Sequence, residues 1–551
     1  MVWILTAVIL TVLFFIIGLP VTQIFFQGTS GRGLEALIQA VSPGSTHFQA
    51  LLNTMLLGTL VGIVGTIFGF SLALAQVRLD FAGKKAMHLL ALLPLISPPF
   101  AVATAVITLF GRRGIITYNL FGLEVDIYGL PGLVLVLAMS FTPVAYMNFV
   151  GMIRNLDPSL EEAASSLGAN PLKTMSRVIL PMLLPGFAAS FLLLFVESIA
   201  DLANPLVLGG DFQVLASQIY FAVAGDGDIA RAAGIAIVLL LPSILVFLVQ
   251  RYWVSRKSVI SVTGKPAGKP RPLTNPWLKY PILLFALFWA LMIALIYLTI
   301  VIGGLTQILG VNNRLTFDHY RFVYRLGSEA IVTTTWMTLI AAPIAALLGV
   351  LIAWLVVRRI RRFAGVLDFI GMLGMAIPGT VLGLGFALAF SSPTWLFGYQ
   401  VLPPLAAGTA IGGGAIAIIM VYVARGIPAG QQSTIAALRQ INPALEEAAT
   451  SLGADPVTSM RKVTLPLVVP SIITALTYAI TRSMTVITAI IFIVTPQTKV
   501  MTAQILDEVD AGRFGNAFAY CTLLIVIVLI ILGITEIITR YINRNSNLRT
   551  D

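Results

Sequence analysis

The chain has 551 residues, of which 58% are hydrophobic and only 10% charged, with a formal net charge of +11 and a single cysteine. That apolar share excludes an ordinary soluble domain, and one cysteine excludes a disulfide framework or a Cys/His zinc site. The excess of basic residues falls in short segments between apolar runs, where it reports membrane orientation rather than nucleic-acid binding.

A bilayer span needs about 20 apolar residues and admits only helices or closed barrels. The alternating pattern of a barrel is absent, so the chain reads as an all-α membrane protein. Its first apolar run, 2–26, has no basic lead and no small-residue cleavage site, and is expected to be a retained span rather than a signal peptide. Further spans are expected at 51–77, 87–110, 130–153, 179–200 and 229–250. Arg78, Lys84 and Lys85, then Arg154, Lys173 and Arg177, put the intervening segments on the cytoplasmic side. Pro94, Pro98 and Pro99 interrupt the third span, which a bilayer tolerates where the backbone is buried or lines a cavity. The interruption marks either a pathway wall or a packing kink.

Residues 251–279 contain Arg256, Lys257, Lys265, Lys269 and Arg271 among four prolines, with no acidic residue. They read as an extended cytoplasmic linker whose charge serves topology and contact with anionic lipid. The plan then repeats, with spans expected at 281–303, 331–357, 365–390, 407–426, 464–494 and 516–539. Arg358 corresponds to Arg78 and Pro378 to Pro98 at an offset of 280, which drifts to 285 further along. Arg358, Arg359, Arg361 and Arg362, and later Arg540, Arg544 and Arg549, keep both termini cytoplasmic. The expected division is a first half over 1–250, the linker over 251–279 and a second half over 280–551. The outer segments 27–50, 111–129, 201–228, 304–330 and 495–515 are the surfaces open to a delivery protein. Gly58, Gly62 and Gly412 to Gly414 suit close helix approach, and His47, His88 and His319 stand singly as packed or interfacial residues.

One construction occurs twice. Residues 161–181 read EEAASSLGANPLKTMSRVILP and 446–466 read EEAATSLGADPVTSMRKVTLP, 285 positions apart, each on the cytoplasmic side between two spans. Asp157-Pro158 and Asn442-Pro443 set a capping oxygen before a proline, and so begin helices. Leu160, Ala163, Ala164 and Leu167, like Leu445, Ala448, Ala449 and Leu452, fall on one narrow apolar stripe, with the glutamates pointing elsewhere. Gly168 and Gly453 suit the left-handed residue past a helix end, and Asn170-Pro171 and Asp455-Pro456 start a second helix. Leu180-Pro181 and Leu465-Pro466 mark the return to apolar sequence.

The pattern Glu162-Ala163-Ala164, Gly168, Val178, Leu180-Pro181 resembles the EAA loop of binding-protein-dependent ABC importer permeases, and the second copy matches at every corresponding position. Val178 and Val463 stand in place of the usual isoleucine. The resemblance implies twelve transmembrane helices in two pseudo-symmetric six-helix halves, the type I ABC importer permease fold, with EAA loops at 154–181 and 439–466. It also implies that these loops carry coupling helices for two copies of an ABC ATPase subunit, through Glu161, Glu162, Ala163, Ala164, Gly168, Leu180, Pro181, Glu446, Glu447, Ala448, Ala449, Gly453, Leu465 and Pro466. No GxxxxGK[ST] phosphate loop occurs in the chain, so ATP and magnesium are expected on the partners and no cofactor or catalytic residue here.

Glu197 and Asp201 lie at the outer half of the fifth span, where an unpaired charge costs about 2.5 kcal/mol or more at the bilayer centre. The offset of 285 sets Arg482 opposite Glu197, and the family's architecture places their helices near the central pathway. An ion pair between them, as a gate or inner wall, is the expectation; the alternative is that each satisfies its own backbone or headgroup partner. Pro98 and Pro378 complete the candidate pathway residues.

The run Phe195 to Gly210 and the segment Asp510 to Gly515 resemble the ferric iron importer permeases of bacteria, with similar segments in permeases for 2-aminoethylphosphonate and fused forms known for thiamine. A polyamine remains a further alternative. The machine implied sits in a bacterial inner membrane and receives substrate from a periplasmic or lipid-tethered binding protein. A secondary transporter driven by an ion gradient also has two six-span halves, but needs no duplicated cytoplasmic helices. A membrane scaffold leaves the proline-broken spans without purpose.

Overall fold

The computed structural model describes residues 2–547 apart from 255–270, 274, 361, 397, 409 and 443. Most of the expected linker, together with Arg361, Pro443 and Arg549, therefore lies outside the described residues, as does the side chain of Glu447. Among the described residues eleven helices are long and apolar enough to cross a membrane, and a pair bent by 100°, Ala364–Ala376 with Gly379–Phe390, makes up to twelve. The chain is thus a multi-pass, all-α membrane protein.

The two proline-broken spans share one local cause. A residue before proline is pushed out of the helical region, and Ser97 (φ −104°, ψ 155°) and Ile377 (φ −83°, ψ 127°) are both extended. Lys84–Ile96 ends there and Pro99–Phe110 begins after Pro98; Ala364–Ala376 ends and Gly379–Phe390 begins after Pro378. The expected single span 87–110 is accordingly two helices.

Elsewhere proline is absorbed rather than obeyed. Phe14–Gly18, Met175–Ile179 and Met460–Thr464 are wide, π-type turns, and each is followed at the second residue by Pro20, Pro181 or Pro466. Proline lacks the N–H for the preceding turn and its ring crowds the carbonyl four residues back, so a widened turn lets the helix continue. Pro171–Ile199 is consequently one helix of 29 residues. Leu180-Pro181 and Leu465-Pro466, which mark the return to apolar sequence, lie inside helices that run on without a break.

Two other boundaries move. The tenth span is Ala415–Gln440 rather than 407–426, because Gly412, Gly413 and Gly414 take left-handed φ of 68°, 62° and 94° and form a turn. These glycines serve that turn and not helix approach. The eleventh span ends at Thr485 rather than 494: the following run, Val486 to Val494, is rich in β-branched residues and leaves the helix. Gly58 and Gly62 do serve packing, since a Cβ on either would come within 2.9 Å of Phe195, Ile199 or Phe191.

The helices group into two compact units that cut across the sequence halves. One holds residues 32–321 and 506–522. In it Thr46–Arg78 packs on Leu130–Arg154 and Leu180–Ile199, while Pro276–Leu305 packs on Thr46–Arg78, Lys84–Ile96 and Pro99–Phe110. The other holds residues 1–31, 322–505 and 523–551. There Ser328–Trp354 packs on Ala415–Gln440 and Leu465–Thr485, and Leu19–Gly28 packs on Gly379–Phe390. The first span and the seventh span thus each lodge with the opposite stretch of sequence.

Candidate functional site

The twin loops have the same build. In the first, Asp157 Oδ1 accepts from Ser159 N at 3.0 Å and starts the helix Pro158–Ser166. Gly168 takes φ 78°, and Ala169 N donates to Ala164 O at 3.0 Å across it. Asn170 Oδ1 then accepts from Lys173 N at 2.8 Å and opens the long helix into the membrane. In the second, Asn442 Oδ1 caps Ala444 N at 3.0 Å, Gly453 takes φ 84°, and Ala454 N donates to Ala449 O at 3.0 Å. A side chain at either glycine would pay for a backbone shape that L-residues rarely adopt.

Each loop leaves its apolar stripe uncovered. Leu167 is 88% exposed and Leu452 89%, with Leu160 and Leu445 about half as much. Ala163 and Ala448 are exposed too. A leucine held at the tip of a rigid helix-turn-helix, away from its own chain, is a knob without a hole.

The two glutamates of the first loop divide the work. Glu161 faces inward: Arg78, 2% exposed, donates to it from Nη1 at 2.9 Å and Nη2 at 2.6 Å. That bidentate, charge-assisted pair pins the loop to the end of Thr46–Arg78. Glu162 faces out, with 58% of its side chain exposed. In the second loop Glu446 lies 3.4 Å from Arg358 and 3.7 Å from Arg359, and accepts from Thr464 Oγ1 at 2.7 Å. Arg358 spends Nη2 on the carbonyls of Leu438 and Ile441, both at 2.9 Å. The offsets reproduce the duplication, 280 from Arg78 to Arg358 and 285 from Glu161 to Glu446.

A second repeated brace was not recognised in the sequence. His88 Nδ1 and Tyr146 Oη are 2.6 Å apart; at the equivalent positions Gln431 Nε2 donates to Asp368 Oδ1 at 2.7 Å. Each ties the helix before the proline break to the span preceding the loop. The residue types differ, so only the pair of offsets, again 280 and 285, could have revealed it. Asp368 is engaged there. Arg425, also overlooked, donates from Nη1 to Ile377 O at 3.1 Å and Gly374 O at 3.4 Å. It serves carbonyls that the break at Pro378 releases from the helix.

Glu197 and Arg482 occupy the last turns of Leu180–Ile199 and Leu465–Thr485, one in each packing unit, and both are half-buried. Asp201, 4% exposed, takes a helix-end role: its Oδ2 accepts from Asn204 N at 3.0 Å and Asn204 Nδ2 at 2.8 Å. His47 and His319 are engaged separately by Gln218 and Asn516.

Near the start of the last span, Glu508 is 5% exposed and accepts from Arg513 Nε at 2.7 Å, Arg513 Nη2 at 2.9 Å and Asn516 Nδ2 at 2.8 Å. Burial alone would raise its pKa, but the Arg513 and Asn516 hydrogen bonds outweigh it and hold the carboxyl below its ordinary range. This cluster fixes the turn between Met501–Asp510 and the last span, within the segment 510–515 singled out above.

The geometry agrees with what the chain is similar to. The model for "binding-protein-dependent transport system inner membrane component" matches twice, over residues 65–259 and 345–547. The ferric transport system permease protein FbpB of Actinobacillus pleuropneumoniae is 35% identical over 540 residues, covering 95% of this chain and 76% of that protein. A putative ferric transport system permease, FbpB 1 of Haemophilus influenzae, is 34% identical over 513 residues, covering 89% and 78%. A putative 2-aminoethylphosphonate permease, PhnU of Salmonella typhi, is 27% identical over 260 residues, covering 46% and 89%. Two family matches, each containing one braced loop with an exposed leucine at its tip, make this chain a member of the binding-protein-dependent ABC importer permease family, with both permease domains in one polypeptide.

Proposed function

We propose that this chain forms the translocation pathway of a ferric iron importer and takes its driving force from two ATPase subunits, one at each loop. The observation that carries the coupling part is the pair of leucines, Leu167 and Leu452, held almost fully exposed by loops that are otherwise tied to the bundle. An apolar knob of this kind gains about 1.5–3 kcal/mol on burial in a partner's cleft. The substrate rests on the ferric permeases that align over nearly the whole chain.

On this reading a binding protein delivers iron to the outer segments, and ATP with magnesium is bound by the partners. Closure of the ATPase pair moves the loops, and the long helices that begin in them carry that motion into the bilayer. Both termini face the cytoplasm, as the arginines at the ends of the cytoplasmic segments favour. The breaks at Pro98 and Pro378, with Glu197 and Arg482, supply the pathway and its gate.

The test is reconstitution of the chain in proteoliposomes with its ATPase and binding protein. ATP-dependent uptake of labelled ferric iron is expected, and Leu167→Asp with Leu452→Asp should abolish ATPase association while membrane insertion is retained. Uptake of 2-aminoethylphosphonate but not iron would move the substrate assignment. Uptake that persists without ATP or ATPase would sink the coupling reading.

A further inference from the structure

Arg78 serves a second chain segment besides the first loop. Its Nη1 also donates to Arg271 O at 3.3 Å, and its own carbonyl accepts from Leu273 N at 2.9 Å. Arg271 in turn donates from Nη2 to Glu162 at 3.2 Å. Residues 271–273 therefore lie against the loop and hold both of its glutamates, one directly and one through Arg78.

In sequence those residues shortly precede the helix Pro276–Leu305, whose start Asn275 caps by accepting from Trp277 N at 3.0 Å. Further along that helix Tyr297 Oη meets Ser97 Oγ at 2.6 Å, both buried. Ser97 is the extended residue at the break before Pro98. A connected set of hydrogen bonds and one rigid helix thus joins the first loop to the broken span. In the second loop Arg358, the equivalent of Arg78, lies 3.4 Å from Glu446 and gives its Nη2 to the carbonyls of Leu438 and Ile441, at the end of Ala415–Gln440.

We propose that Arg271 to Leu273 is a strap that links the first coupling loop to the helix Pro276–Leu305, and through Tyr297 to the break at Ser97-Pro98, so that the two loops drive the pathway by different routes. The proposal rests on the coupling reading above. A packed helix transmits displacement because its interior has little compressibility, but coupling has to be demonstrated by perturbing the joint. Leu273→Pro removes the amide donor to Arg78 and leaves the charges in place; Arg271→Glu sets a like charge against Glu162.

The first measurement needs no partner. Hydrogen exchange in the purified full chain should accelerate about fivefold over Pro158–Ser166 in Leu273→Pro, the change for one net hydrogen bond, and less than that in Arg271→Glu. Exchange over Ala444–Ser451 should stay as it was. An unchanged first loop, or equal acceleration of both loops, overturns the strap. The second measurement uses the assembled transporter. Each variant should keep its ATPase subunits but hydrolyse more ATP per substrate imported, a ratio that simple loss of folded protein does not alter. An unchanged ratio overturns the transmitting role, whereas an unaltered chain that binds no ATPase overturns the functional reading itself and leaves the exchange result to stand or fall alone.

Discussion

Neutralising the inner glutamate of each loop should have unequal effects. Arg78 has 1% of its side chain exposed and Glu161 12%, and the two share bonds of 2.6 and 2.9 Å. Glu161→Gln keeps the shape but withdraws the negative charge and one acceptor, leaving a buried guanidinium with Arg271 O at 3.3 Å. Removing one partner of a buried pair costs about 3–5 kcal/mol, and the surviving carbonyl argues for the lower end, about 3 kcal/mol. At Glu446 the ion contacts to Arg358 and Arg359, 3.4 and 3.7 Å, are longer than good hydrogen bonds, and Arg358 keeps its two carbonyls at 2.9 Å. Glu446→Gln should therefore cost about 1 kcal/mol. With tenfold per 1.4 kcal/mol, amide exchange should rise roughly a hundredfold over Pro158–Ser166 in the first variant and roughly fivefold over Ala444–Ser451 in the second. Equal acceleration in the two variants, or a first loop indifferent to Glu161→Gln, would refute the division of labour drawn from these distances.

Arg425→Met strips the donor from Ile377 O and Gly374 O; we expect a loss of about 1–3 kcal/mol, seen as a lower unfolding midpoint in detergent, and no drop would mean that other donors suffice. The depressed pKa of Glu508 means that the folded state binds its proton more weakly than the unfolded chain does. Its stabilisation is present above the ordinary carboxylate pKa and is lost as pH falls through the depressed value, so melting below about pH 5 should be less acid-sensitive in Glu508→Gln than in the unaltered chain. Glu197→Arg and Arg482→Glu should each impair uptake; recovery in the double variant supports the expected ion pair, and additive loss removes it.

Much of the architecture could be read because two copies of one plan were present to compare. Composition gave the membrane class, and the spacing of alanines and glycines gave the loops and their turns. The proline breaks at Pro98 and Pro378 were legible because the residue before proline has few conformations. What escaped depends on partners distant in sequence. His88 with Tyr146 and Asp368 with Gln431 fill one role with four residue types, so no motif exposes them. The inward turn of Glu161 and the outward turn of Glu162 differ by one position, and apolar periodicity does not say which glutamate finds an arginine. The end of the eleventh span was overrun because Val486 to Val494 is as apolar as a helix and only its branching betrays it. The packing role expected of Gly412 to Gly414 failed because three consecutive glycines favour backbone freedom over tight approach.

The lodging of the seventh span bears on how the polypeptide is made. When the ribosome has finished residue 254, the helix Thr46–Arg78 still lacks the neighbour whose Phe285 ring will rest 5.1 Å from Phe68, and Ser97 still lacks Tyr297. The unit built on that early sequence closes only when residues 506–522 emerge. Synthesis therefore cannot complete one body and then begin the next, and a nascent chain must shelter an unfinished core in lipid until residues 506–522 have been added.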